Sequence, residues 1–262
     1  MKFNGIFPLM LAAMVGISTL NGAEKPATAT TTTQKTKKKT KAPLTLKQEI
    51  ARAKKPIRHK RHIQRLTDKK IYAEANKDKI KILMLGDSIT HQWEYPAAAQ
   101  AHEKYIAPYN VLNLGCGGDR TSSTIWIIEK SGILELINPK LVTIMIGTNN
   151  RFRPQATAEG IKYIVDSVRR RYPDAVILLY AIFPRGADKT DKFRIVNEQV
   201  NDEIVKICDG KKVIWMDIRK NFLDDQGNLS RSMMPDYLHP RKFKGYSVWG
   251  ESLLPYFEKY GK

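Results

Sequence analysis

The chain has 262 residues, enough for one large domain or two small ones, and 42% hydrophobic residues supply an ordinary core. Its formal net charge of +19 is uneven: residues 24–80 hold 18 Lys/Arg against 5 Asp/Glu, and residues 81–262 hold 26 against 21. The basicity therefore belongs mainly to an N-terminal extension and says little about the domain behind it.

In chain order, residues 1–23 read as a secretory signal. Lys2 supplies the positive start, an apolar stretch runs from Ile6 to Ile17, and Asn21-Gly22-Ala23 forms a small-residue end. The apolar run is short for a membrane span. The sequence thus predicts a secreted or periplasmic protein with no stable membrane anchor after signal removal. Residues 24–57 form a basic Lys/Thr-rich linker, with 10 Lys/Arg against Glu24 and Glu49. Its first part lacks the large apolar side chains needed to offset ordering entropy, so disorder is expected up to Leu44. Two uses are expected for it: a solvated tether that spaces the domain from its export site, and weak contact with polyanions through residues 24–57. Within it, Thr45 and Gln48 mark a capped short helix that Pro56 ends.

The domain proper is expected over 58–262. It opens with a helix over 58–76, carrying Ile63, Leu66 and Ile71 as a thin apolar stripe. Few stacking aromatics accompany its charges, so no nucleic-acid partner is expected. Short apolar runs at 80–85, 111–114, 141–146, 175–182 and 213–216 then suit parallel strands covered on both faces. Segments of helical spacing separate them. One carries Ile161, Ile164, Val165 and Val168; another carries Ile195, Val196, Val200, Ile204 and Ile207. A last helix over 242–260 carries Phe243, Tyr246, Trp249, Leu253 and Leu254. This alternation predicts one three-layer α/β domain. Cys116 and Cys208 fall at opposite ends of such a sheet, too far apart for a disulfide.

Four short motifs carry the chemistry. Gly86-Asp87-Ser88-Ile89-Thr90 follows the first strand, where ligands of open α/β sheets bind. Ser88 can act there as a nucleophile whose own N–H faces a developing negative charge, although Gly-Asp-Ser is also an ordinary turn. Gly115, Gly117 and Gly118 crowd the end of the second strand, either as a tight turn or to offer the Gly118 N–H to an oxyanion. Gly147-Thr148-Asn149-Asn150 ends the third strand. The Asn149 carboxamide can donate into the same crevice or cap the next helix. Asp236-Tyr237-Leu238-His239 precedes the last helix and supplies a histidine with its orienting carboxylate. An Asp-x-x-His pair can also be a metal pair or a helix cap, but no further Cys, His or Asp set has ligand spacing. Neither metal nor cofactor is expected. His59, His62, His91 and His102 are read as surface or local contacts, with His91 and Trp93 close enough to Ser88 to shape its pocket.

Taken together, the motifs resemble the SGNH (GDSL) hydrolase superfamily, whose Ser, Gly, Asn and His correspond to Ser88, Gly118, Asn149 and His239. Trp126, Phe183-Pro184-Arg185-Gly186 and Asn197 extend the likeness, over about 58–262, to the subgroup of the catalytic α subunits of intracellular platelet-activating factor acetylhydrolase. The chain departs from that subgroup at Cys116, at Ile127-Ile128 and in its N-terminal extension. The resemblance implies a flavodoxin-like sheet of order 2-1-3-4-5 and a Ser88–His239–Asp236 triad. It further implies Ser88, Gly118 and Asn149 as oxyanion donors. It points to a serine ester hydrolase that removes a short acyl group, acetyl above all, from an acetylated carbohydrate or glycan. Two alternatives stand beside it: a lipid or lysophospholipid esterase of the same mechanism, and a surface-adhering binding protein that uses the basic extension.

Overall fold

The computed structural model describes residues 42–261. The expected signal and most of the expected linker lie outside them. Among the described residues, no helix is long and apolar enough to cross a membrane.

Two helices lead in: α1 (Leu46–Lys54) and α2 (Ile63–Asn76). Strand β1 (Ile82–Gly86) then alternates with helices through α3 (Ser88–His91), α4 (Ala99–Tyr105), β2 (Val111–Asn113), α5 (Thr121–Lys130), β3 (Leu141–Met145), α6 (Pro154–Arg171), β4 (Val176–Tyr180), α7 (Lys192–Ile204), β5 (Val213–Met216) and α8 (Lys242–Tyr260). The sheet order is β2-β1-β3-β4-β5 and every pair is parallel. This is the three-layer α/β sheet that the sequence and its resemblance implied.

Successive residues of a strand point to opposite faces, and both faces here are covered. Leu83, Leu85, Val142, Ile144, Ile177 and Leu179 meet Ile125, Ile128, Ile161, Ile164 and Val200 from α5, α6 and α7. Ile82, Met84, Met145, Leu178 and Tyr180 meet Ile89, Tyr105, Tyr246, Trp249, Leu253 and Phe257 from α3, α4 and α8. The second face is dense in aromatics. Trp93 lies 4.5 Å from Tyr246 between ring centres, and Trp249 lies 5.2 Å from Phe183.

Two expected apolar faces are narrower than their residue types suggested. In α2, Leu66 is buried, but Ile63 and Ile71 are 41% and 62% exposed. At about 100° per residue, Ile71 stands roughly 140° around the helix from Leu66, so one core cannot receive both. Ile195 of α7 has the same offset from Val200 and is likewise exposed.

The domain also starts earlier than Arg58. The capping box of Thr45 and Gln48 forms, and the helix that it starts is seated rather than tethered. Ala53 is fully buried, its carbonyl accepts from Thr121 Oγ1 at 2.9 Å, and the Ile57 N–H donates to the Ser122 carbonyl at 3.0 Å. Glu49 pairs with Arg153 at 3.0 Å and Lys54 with Glu159 at 2.6 Å. Residues 43–57 therefore pack with the sheet domain, whose compact unit begins at Pro43. The basic composition concealed this because α1 buries only one small side chain, Ala53.

Candidate active site

The first three motifs are placed by strand ends. β1 is fully buried over Ile82–Leu85 and stops at Gly86, where a Cβ would come within 2.6 Å of the Met145 carbonyl. Asp87 caps the short helix α3, its Oδ1 accepting from the Ile89 N–H at 2.9 Å. Ser88, the first residue of that helix, is thereby lifted half-exposed above the sheet edge. After β2, Arg65 of α2 holds the turn by donating to the carbonyls of Asn113 and Gly115 at 3.1 and 2.9 Å. The Asp119 N–H closes back on the Cys116 carbonyl at 3.1 Å, which leaves Gly118 with φ +74°, a conformation that favours glycine. After β3, Asn149 donates through Nδ2 to the Asp119 carbonyl at 3.1 Å, tying the second and third strand ends together. Neither the Ser88 N–H nor the Gly118 N–H meets an acceptor among the described residues.

The fourth motif comes from a loop. Tyr237 takes φ 55°, uncommon for an aromatic residue, and folds the chain over so that Asp236 faces its own histidine. Asp236 Oδ1 accepts from the N–H groups of Leu238 and His239 at 3.2 and 2.8 Å. Its Oδ2 lies 2.8 Å from His239 Nδ1, and His239 Nε2 lies 2.8 Å from Ser88 Oγ. Partial burial raises the Asp236 pKa, but the donated hydrogen bonds and the histidine outweigh it and hold the carboxylate below its ordinary range. Ser88, Gly118, Asn149 and His239 line one open cleft, with Asp236 behind the histidine. All five residues singled out in the sequence are thus brought together.

The structure adds residues that sequence reasoning left aside. Arg61 lines the cleft and donates to the Gly117 carbonyl. His59 Nδ1 and His62 Nε2 lie 3.1 and 3.5 Å from the buried Asp119 Oδ1. These three offer ligand atoms within 4.8 Å of one another, so a set at cation-ligand distances does exist, contrary to the spacing argument. The Nε–H of Arg61 points at His62 Nε2 from 3.2 Å, a position that a cation would have to contest. Burial, with the Asp87 charge adding to it, pushes Asp119 up to about 8 against the pull of Arg61 and Arg65. Burial also lowers both histidines. The set is a hydrogen-bonded cluster joined to the Gly118 turn through the Gly117 carbonyl. No local signal marks it, because His59 and Asp119 are 60 residues apart. His91, expected to shape the pocket, lines the cleft and is pulled down to about 4, by burial first and then by Arg65. Cys116 and Cys208 are free thiols, and burial pushes Cys116 up to about 12.

The architecture and sequence have counterparts. The family model described as "GDSL-like Lipase/Acylhydrolase family" matches residues 84–243. The alpha1 subunit of human platelet-activating factor acetylhydrolase IB is 32% identical over 172 residues, covering 64% of this chain and 71% of that protein. Among solved structures, a GDSL-like lipase from Bacteroides thetaiotaomicron superposes with a TM-score of 0.59 at 16% identity, over 74% of this chain and 98% of that one. An acetyl xylan esterase does so with a TM-score of 0.57 at 16% identity, over 68% and 99%.

Proposed function

The chain belongs to the GDSL-like lipase/acylhydrolase family and is an ester hydrolase, and from that premise we propose that it removes a short acyl group, acetyl above all, from an acetylated carbohydrate. Ser88 is the nucleophile. His239 Nε2 takes the Ser88 proton as Oγ attacks the ester carbonyl, and the same proton then goes to the departing alcohol. Asp236 fixes the ring so that Nε2 faces the serine and stabilises the imidazolium that forms. The N–H groups of Ser88 and Gly118 and the Asn149 carboxamide receive the oxyanion. His239 next removes a proton from water, whose attack on the acyl-enzyme releases the acid and restores Ser88. The observation that carries this reading is the pair of 2.8 Å contacts linking Ser88 Oγ to His239 and His239 to Asp236.

The acetyl assignment draws on the acetylhydrolase name of the human relative, and the carbohydrate assignment on the acetyl xylan esterase neighbour. The signal-like residues 1–23 support export, and the basic stretch after them suits adhesion to anionic surfaces. One observation favours a second reading, a phospholipid or lysophospholipid ester. Tyr95 borders both the cleft and a mainly apolar hollow formed with Trp93, Pro96 and Ala99, which Glu94 and His102 also line.

Hydrolysis of 4-nitrophenyl esters of increasing chain length tests both readings. Acetate is expected to give the highest kcat/KM, and Ser88→Ala is expected to remove about 10⁶ of kcat while leaving the melting temperature near wild type. A serine-reactive phosphonate is expected to label Ser88. Retained kcat in the alanine variant would sink the nucleophile assignment, and a preference for long chains would favour the lipid ester.

A further inference from the structure

Beside the cleft of Ser88 and His239 lies a second hollow of about 210 Å³, and the two share Gly118 and Asn149 as a common wall. Three arginines line it, Arg120, Arg151 and Arg185, and no carboxylate is among its lining residues. Elsewhere in the domain some arginines pair with acids and others, such as Arg61 and Arg194, donate to carbonyls instead. Arg65, Arg153, Arg171 and Arg219 each meet a carboxylate within 3.0 Å. Among the described residues, none of the three arginines of the hollow has such a partner.

Arg185 is the most informative of them. It is half-buried, its guanidinium stacks over Phe193 at 4.6 Å, and Nη1 donates to the Thr148 carbonyl at 3.0 Å. The acids that act on it, Asp191 and Asp87, do so only through space. Asp191 accepts from the N–H groups of Phe193 and Arg194, and Asp87 from that of Ile89. The fold thus holds a partly desolvated guanidinium with no carboxylate in contact among the described residues and sets two more cations around the same space. A half-buried cation is costly until an anion meets it. The planar guanidinium fork matches the two oxygens of a carboxylate or phosphate.

We propose that this hollow is a subsite for an oxyanion, carboxylate or phosphate, carried on the alcohol portion of the ester, so that the substrate is an acidic acetylated sugar. This rests on the short-acyl reading above: an acetyl group has no charge of its own, so the anion must belong to the alcohol.

The test compares kcat/KM for acetylated methyl galacturonoside, acetylated galactose 6-phosphate and acetylated methyl galactoside. At least one acidic substrate is expected to exceed the neutral one by about 10- to 100-fold, the usual weight of hydrogen bonds to a charged group. Which of the two wins identifies the oxyanion. Arg120→Ala combined with Arg151→Ala, both exposed positions, is expected to bring the acidic-to-neutral ratio towards one. Equal rates in wild type, or a preference that survives the double variant, would overturn the subsite.

Calorimetric titration of Ser88→Ala protein with galacturonate and with galactose 6-phosphate separates the subsite from the reaction. Saturable binding that disappears with the two arginines supports the subsite even if 4-nitrophenyl acetate is not hydrolysed, in which case the esterase reading alone fails. Hydrolysis of 4-nitrophenyl acetate without binding of either anion sinks the subsite and leaves the esterase reading standing.

Discussion

The two halves of the candidate active site are built differently. Ser88, Gly118 and Asn149 stand on the ends of three adjacent parallel strands, β1, β2 and β3, whose pairing sets their separation. Asp236 and His239 hang on a loop; the Asp236 side chain is 39% exposed and that of His239 16%. The strand-borne half is positioned by the core, and any shift there would have to disturb β1, where Ile82–Leu85 are fully buried. The loop-borne half is positioned by its own hydrogen bonds and by the backbone of Tyr237. The rigid half thus presents the proposed nucleophile and oxyanion donors, and the local half the proposed proton carrier.

Substitutions on the two halves sharpen this contrast. On the loop, Asp236→Asn is expected to lower kcat by about 10⁴, because an amide leaves the wrong histidine tautomer facing the serine. Its fold should be unchanged by circular dichroism. A loss below tenfold would show that the strand-borne half positions the histidine without its carboxylate. On the strand ends, Asn149→Ala is expected to lower kcat by roughly 10²–10³ with a much smaller change in KM, since the donor acts mainly on the transition state. A change confined to KM would make Asn149 a substrate-binding residue instead.

The N-terminal border extends the comparison to support at a distance. A chain starting at Pro43 is expected to match the longer protein in melting temperature and kcat. One starting at Arg58 loses α1 with its contacts to Thr121, Arg153 and Glu159. It is expected to melt about 5–10 °C lower and to keep most of its kcat, because α1 touches none of the five site residues. Equal melting temperatures would return residues 43–57 to the role of a tether.

The smallest effect concerns pH. Asp119 has its folded pKa raised to about 8 and Asp87 to about 7, from an ordinary 3.8, chiefly by burial. A raised acid favours the folded state most at low pH, so its contribution is lost as the unfolded chain ionises from about pH 4 upwards, up to the folded pKa. His91, lowered to about 4, acts in the opposite direction between there and its ordinary 6.5. Asp119→Asn keeps a hydrogen-bonding carbonyl and removes one ionisation. Its melting temperature is expected to fall less than that of wild type between pH 6.5 and 8, where His91 no longer contributes. An unchanged slope would mean that Asp119 is ionised in the folded protein.

Much of this site was legible along the chain. Gly86-Asp87-Ser88 follows an apolar run that reads as a buried strand, and Asp236 and His239 are close enough for one turn to join them. Arg61 and His62 were not legible as neighbours of the cleft, nor was Arg185, named only within a family-like run, as lining the hollow beside it. Each reads locally as one basic residue among many, and its role depends on a carbonyl or carboxylate tens of residues away.

The sequence by itself determined the alternation of strands and helices, the buried strands, and the local pairing of Asp236 with His239, because these depend on periodicity and on spacings of a few residues. Only the tertiary structure decided that α1 belongs to the domain, that Ile63, Ile71 and Ile195 face outward, and that Ser88 meets a histidine 151 residues away. It alone gathered His59, His62 and Asp119 beside one turn and three arginines around one hollow. The physical reason is common to all of these. A side chain's face follows from its own helix or strand, but its neighbour across the molecule follows from the order in which strands pair and layers stack, and contacts of that range leave no periodic trace along the chain.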